Sequence, residues 1–174
     1  MNRNDVELVL SIGTFVVTVV GLGGLYAQIR SAARSQARDH DRQRKQATLD
    51  TFVGSSAERH AILQQLPNDR DVEAVRAFCP APDAVDDPRF QVIVAHLNYF
   101  ENLAVGAEHD IYCPKVIDSL VGGRLVAAWV AYEPFIQGRR KLLGASSAWT
   151  GFETLAGQLM PARSGELWSQ RSQD

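Results

Sequence analysis

The sequence predicts an all-α protein: an N-terminal transmembrane helix, a helical stalk and a small cytoplasmic helical bundle. Three observations carry that expectation. Leu8 to Ile29 is an apolar run without one charged side chain, ending abruptly at Arg30. Further along, apolar residues recur at spacings of three and four, the period of a helix with one buried face. No stretch alternates apolar and polar residues between turn pairs, as a half-exposed strand would.

The apolar run comes first. At helical rise it covers about 30 Å, the thickness of a bilayer's hydrocarbon core. A secretory signal peptide would have a basic start and a shorter apolar core. Here Arg3 faces Asp5 and Glu7, and the run is too long. A nucleotide-binding glycine turn at Gly21, Gly23 and Gly24 fails, because the third glycine of that fingerprint would fall on Tyr26 and no strand–helix–strand pattern follows. Residues 1–29 are therefore assigned to the N-terminal tail and spanning helix. Ser11, Thr14, Thr18 and Gly21 place small residues on one face of it, a pattern that lets spanning helices approach closely and self-associate.

Residues 30–46 form a basic juxtamembrane stalk. Six Lys or Arg side chains against two Asp give residues 30–45 a net charge of +4, while residues 1–29 sum to −1. Lys and Arg beside a span stay in the cytoplasm, so the N-terminus is expected outside and the rest of the chain inside a bacterial inner membrane. Arg30, Arg34 and Arg38 are placed to touch anionic lipid head groups, each worth about 1 kcal/mol near the surface. The remaining body carries −5, which argues against nucleic acid as a partner.

Residues 47–160 are read as the cytoplasmic helical domain. Leu49, Phe52 and Val53, then Ile62, Leu63 and Leu66, suggest a helix that becomes packed, with a weak point at Gly54-Ser55-Ser56. Residues 67–89 hold four prolines and five aspartates and read as irregular. Only Val72 to Phe78 suits a short helix there, with Asp69 or Asp71 at its start. Cys79-Pro80-Ala81-Pro82 should be extended, because a residue before proline is pushed out of the helical region. A strong helix follows from Arg89 to about Gly106, with Phe90, Ile93, Leu97, Phe100 and Ala104 as its core stripe and Gly106 as its stop. The next helix runs from Pro114 through Leu120 and Leu125 to Phe135, and Arg139, Arg140 and Lys141 suit its C-terminal end. Leu125 to Ala131 is apolar all round, as in a central buried helix, and Pro134 is a candidate kink. A short helix from Trp149 to Met160 closes the domain, and the polar tail 161–174 is expected to fray.

Polar residues inside the two apolar helices are the candidate site. Asn98, Glu101 and Asn102, beside His96 and Tyr99, lie on the first, while Arg124 and Tyr132 lie on the second. In an antiparallel hairpin Glu101 would pair with Arg124, braced by Asn98 or Tyr132. That cluster is either a buried ion pair fixing helix register or a polar pocket for a small anion. No His-to-His or Glu-x-x-His spacing puts two metal ligands on one helical face, and no P-loop or nucleophile signature is present. No metal, cofactor or catalytic residue is therefore expected. Cys79 and Cys113 are expected reduced in the cytoplasm.

The block Leu97-Asn98-Tyr99-Phe100-Glu101-Asn102-Leu103-Ala104-Val105-Gly106 is distinctive. With Arg44 to Leu49, Gly122-Gly123-Arg124-Leu125-Val126, Trp129 and Pro134-Phe135-Ile136, it resembles a bacterial family of uncharacterised small membrane-anchored proteins, over residues 1–157. The resemblance implies a spanning helix before a helical cytoplasmic domain, and it implies no activity. The expected role is a membrane-anchored interaction or signalling scaffold with an unknown protein partner and possible homo-oligomerisation through the span. The alternative is a membrane-tethered domain that binds a small ligand around Arg124 and Glu101.

Overall fold

In the computed structural model, helix α1 runs from Arg3 to Gly54. It is followed by α2 (Ser56–Leu63), α3 (Val72–Phe78), α4 (Pro88–Glu108), α5 (Pro114–Ile117), a π-helical turn (Asp118–Gly122), α6 (Gly123–Leu143) and α7 (Thr150–Arg171). The structure describes the backbone of residues 3–144 and 146–171, and the side chains of residues 25, 28–32, 34–36, 38–144 and 146–161. Among the described residues there is no strand, so the all-α class holds. The chain divides into two compact units, Met1–Gln43 and Arg44–Asp174.

In the first unit the backbone is helical from Arg3 onward. The side chains of Ser11, Thr14, Thr18 and Gly21, and most of the Leu8–Ile29 run, lie outside the described residues. Leu25 and Ile29, which are described, are 56% and 68% exposed. Arg30, Arg34 and Arg38 are exposed as well. Among the described residues no helix is long and apolar enough to cross a membrane.

The second unit is a helical bundle built around α4, α6 and α7. Helix α4 packs most extensively on α7, which also packs on α6, while α3 lies on α6 and α2 on α4. The stripe on α4 is buried as its spacing requires: Phe90, Ile93, Leu97, Phe100 and Ala104 all face the core. On α6, Leu125 to Trp129 and Ala131 are buried, which makes this the central helix. Phe152 of α7 joins the two, stacked on Phe100 at 5.0 Å and edge-on to Trp129 at 5.5 Å. Offset-stacked and edge-to-face aromatic pairs each add about 0.5–1.5 kcal/mol beyond area burial.

Local signals explain most boundaries. α1 ends at Gly54 and α2 begins at Ser56, where the Gly-Ser-Ser sequence weakens the helix. Asp71 caps α3, accepting from the Ala74 amide at 3.0 Å. Cys79 is extended before Pro80, as is Cys113 before Pro114.

Four features depart from the sequence reading. Gly106 does not stop α4, which continues to Glu108. Its role is close packing, since a Cβ there would lie 2.1 Å from the Tyr112 ring, and the left-handed residue that turns the chain is Asp110, at φ 57. The predicted helix from Pro114 is divided by the π turn, while its far end agrees with the sequence: α6 runs through Pro134 to Leu143, with Arg140 and Lys141 in its last turn. Gly122 and Gly123 meet at that junction, both in ordinary right-handed helical conformation. Helix α7 continues through Pro161 to Arg171 rather than ending at Met160, because Ala162, Arg163, Glu166 and Leu167 are competent helix formers. Arg44, counted with the basic collar, instead belongs to the bundle, where it donates to the Tyr112 carbonyl and pairs with Asp110 at 2.9 Å.

Candidate functional site

The site begins in the irregular segment before α3. The Arg70 amide donates to Asn68 Oδ1 and the Asp71 amide to the Asn68 carbonyl, closing a tight turn. That turn sends Asp69 inward, where its side chain is 2% exposed. Its Oδ1 lies 3.1 Å from His96 Nε2, on a histidine that is itself 2% exposed. An ionised carboxylate only accepts, so Nε2 carries the hydrogen in this pairing. The imidazole is held edge-on between the rings of Phe100 at 5.0 Å and Tyr132 at 5.6 Å.

The other carboxylate oxygen faces Arg124. Nε of Arg124 lies 3.1 Å from Asp69 Oδ2, yet the orientation completes no hydrogen bond to that buried oxygen. Arg124 is the second residue of α6, one position beyond the π turn, and its side chain is 44% exposed. Nε faces inward, and the terminal nitrogens have no partner among the described residues. Tyr132 sits behind the pair with its hydroxyl buried and unpartnered. Burial pushes its ionisation well above the usual tyrosine range, and the Asp69 and Cys79 charges push the same way.

Asp69, His96 and Arg124 line an open cleft of about 900 Å³. Its lining includes the end of α1 (Leu49, Phe52, Val53) with α2 (Arg59, His60, Leu63), and the π turn from Asp118 to Gly122 with Gly123. Leu49, Val53 and Leu120 are 42%, 74% and 50% exposed there. Arg59 is already engaged: its Nη1 donates to the Tyr99 hydroxyl at 2.6 Å, and its guanidinium lies over the rings of Phe52 and Tyr99. Burial raises the Tyr99 hydroxyl's pKa, and Arg59 partly offsets that rise. A second cleft of about 630 Å³ shares Arg59, His96 and Tyr99 with the first, so these three side chains form the partition between them.

The structure thus separates the residues that the sequence suggested as one cluster. Glu101 does not meet Arg124. Its carboxylate accepts from the Gly151 amide at 3.2 Å and the Phe152 amide at 2.7 Å, capping the first turn of α7. Asn98 accepts from the Trp149 indole at 2.9 Å and lines the second cleft with Asn102. Arg124 and Tyr132 remain with His96 around Asp69, the residue that sequence reasoning missed. Asp69 is one of five aspartates in a proline-rich segment, with no local feature marking it as the one that turns inward. Among the described residues no group of three His, Cys, Asp or Glu side chains is placed to hold a metal ion.

Fold and cleft define a class: an all-α protein whose helical bundle carries a buried Asp–His pair beneath an exposed arginine. The chain belongs to the family described as a domain of unknown function, DUF4760, which matches residues 8–159. No curated protein and no solved structure matches it.

Proposed function

We propose that this protein is a single-pass bacterial inner-membrane protein, N-terminus outside, whose cytoplasmic helical domain binds a small ligand at Arg124. The observation that carries the ligand reading is the cleft itself. Its volume lies within the range of small-molecule sites, and Arg124 projects into it with its terminal nitrogens uncommitted. Asp69 and His96 beneath it act as supports that fix the guanidinium, much as outer residues orient a binding group. Glu101 has no part in this site.

The charge-free Leu8–Ile29 run and the +4 collar support the membrane placement, and the exposure of Leu25 and Ile29 agrees with lipid contact. Head-group contact by Arg30, Arg34 and Arg38 and self-association through Ser11, Thr14, Thr18 and Gly21 belong to the same proposal. Replacing Gly21 by Leu should weaken a reporter of membrane self-association, and an unchanged signal removes that part.

A second reading, recruitment of a protein partner, draws on Leu142 and Leu143 at the end of α6, which are 54% and 55% exposed. In-cell crosslinking that captures one specific protein, lost in a Leu142→Ser/Leu143→Ser variant, would favour it.

The ligand reading is tested by thermal unfolding of the full chain against a panel of small anions, cations and neutral compounds. A ligand at one hundred times its Kd stabilises by about 2.7 kcal/mol. We expect anions to raise the midpoint in the wild type and not in Arg124→Gln. Equal shifts in both proteins would refute a site at Arg124.

A further inference from the structure

We propose that the cleft's ligand is an amphiphilic organic anion, with a carboxylate or phosphate head at Arg124 and an apolar body against Leu49, Val53 and Leu120. The inference rests on the ligand reading and specifies its chemistry. Three observations converge on it.

The first is charge. Three arginines against two aspartates line the cleft, a net of one positive charge with both histidines neutral. Arg59 is committed to Tyr99 and Phe52, whereas Arg124 engages Asp69 through Nε alone, leaving the terminal fork that matches a carboxylate or phosphate edge.

The second is the state of Asp69. This carboxylate is 2% exposed, lines the cleft, and has an oxygen that completes no hydrogen bond. Buried charges are ordinarily paired and fully hydrogen-bonded. Asp69 holds Arg124 by charge at Nε and leaves the terminal nitrogens open, an arrangement that leaves room for an anion at the fork's other edge.

The third is the apolar surface. Leu49 and Val53 from the end of α1 and Leu120 from the π turn line the same cleft, and all three are 42% exposed or more. Single exposed apolar residues are ordinary, but three converging on one concave site with an arginine provide a surface that a hydrocarbon body would cover. An inorganic anion would use Arg124 and leave those side chains wet. A neutral hydrocarbon would use them and leave the fork unpaired.

The test uses the full chain in discs of zwitterionic lipid, read by methyl NMR of Leu and Val. It is titrated with octanoate and octyl phosphate, then with their six- and four-carbon homologues, with octylamine and inorganic phosphate as comparisons. The expected result is a saturable shift at Leu49, Val53 and Leu120, with each methylene removed weakening binding about two- to fourfold. Octylamine should produce no saturable shift, and Arg124→Gln should bind octyl phosphate at least about tenfold more weakly. Because Arg124→Gln also leaves Asp69 without its ion pair, Val53→Asp serves as a second variant. Val53 is 74% exposed, so the fold should survive while dependence on chain length falls. Equal affinity for inorganic phosphate and octyl phosphate overturns the amphiphile and leaves the ligand reading standing. No saturable shift with any compound overturns both.

Discussion

Replacing Gly106 by Ala separates packing from intrinsic helix propensity by sign. Propensity alone favours Ala over Gly by about 1 kcal/mol inside a helix. At this site the new methyl would lie 2.1 Å from Tyr112 Cδ2 and 2.3 Å from Cε2, with Cγ at 3.0 Å. Contact so close to the root of the ring cannot be relieved by moving only its tip. The ring is also anchored: the Tyr112 amide donates to the Gly106 carbonyl at 2.9 Å, and its hydroxyl shares a 3.1 Å hydrogen bond with Thr51 Oγ1. Forcing a methyl into such a space costs about 1–3 kcal/mol. Losing the Thr51 bond adds about 1 kcal/mol, and the helix-propensity gain offsets a similar amount. The net expectation is a destabilisation of about 1–3 kcal/mol, with the spread set by how far the loop relaxes. Gly157→Ala is the internal comparison, an exposed helical glycine whose Cβ would meet nothing within 4 Å. It should stabilise by up to about 1 kcal/mol. Urea unfolding, followed by the fluorescence of Trp129 in the core, measures both midpoints on the full chain. If Gly106→Ala stabilised as much as Gly157→Ala, close packing on Tyr112 would not be the role of this glycine.

Other outcomes depend on particular contacts. Asp69→Ala removes the partner of both His96 and Arg124 and should cost about 3–5 kcal/mol. In a double-mutant cycle with His96→Ala, the combined loss should fall short of the summed single losses, and strict additivity would deny the pairing. Glu101→Ala strips the cap from α7 and should cost about 1–2 kcal/mol, whereas Glu101→Gln, which keeps an acceptor, should cost less. Burial pushes the Cys79 thiol from 9.0 up to about 11, against a smaller opposing pull from Arg89. A raised folded-state pKa means that this group's stabilising contribution is present below pH 9 and is lost as pH rises toward 11. Alkylation of folded Cys79 should therefore be slow at neutral pH and accelerate over that window. A fast reaction at pH 7 would show that the thiol is not buried as described.

Local periodicity and local chemistry made part of the fold legible in the sequence. The α4 stripe, the all-apolar centre of α6, the break at Gly54-Ser55-Ser56 and the Asp71 cap each depend on neighbours within a few residues. The features that escaped depend on distant partners. Asp69 reaches His96, which lies 27 positions away, and Glu101 caps a helix start some 50 positions on. Neither choice is marked by the residue's own surroundings. Glu101 and Arg124 looked like natural partners because one lies beside the core stripe of its helix and the other interrupts an apolar run, yet each answers a different need, one for backbone amides and the other for a buried carboxylate. The π turn was equally hidden, since Gly122-Gly123 reads as well as a small-residue contact as it does as a widened turn. Its consequence for the site is direct. An extra residue in one turn rotates the succeeding helix by about 100°, which sets the face on which Arg124 emerges.

Native mass spectrometry of the full chain, extracted from its membrane into lipid discs and compared with Arg124→Glu, tests the central claim most directly. The account predicts a small anionic species bound to the wild-type chain and absent from the variant, at unchanged overall fold by circular dichroism. Identical spectra for the two folded proteins would contradict a ligand site at Arg124 and return attention to the exposed surface at Leu142 and Leu143.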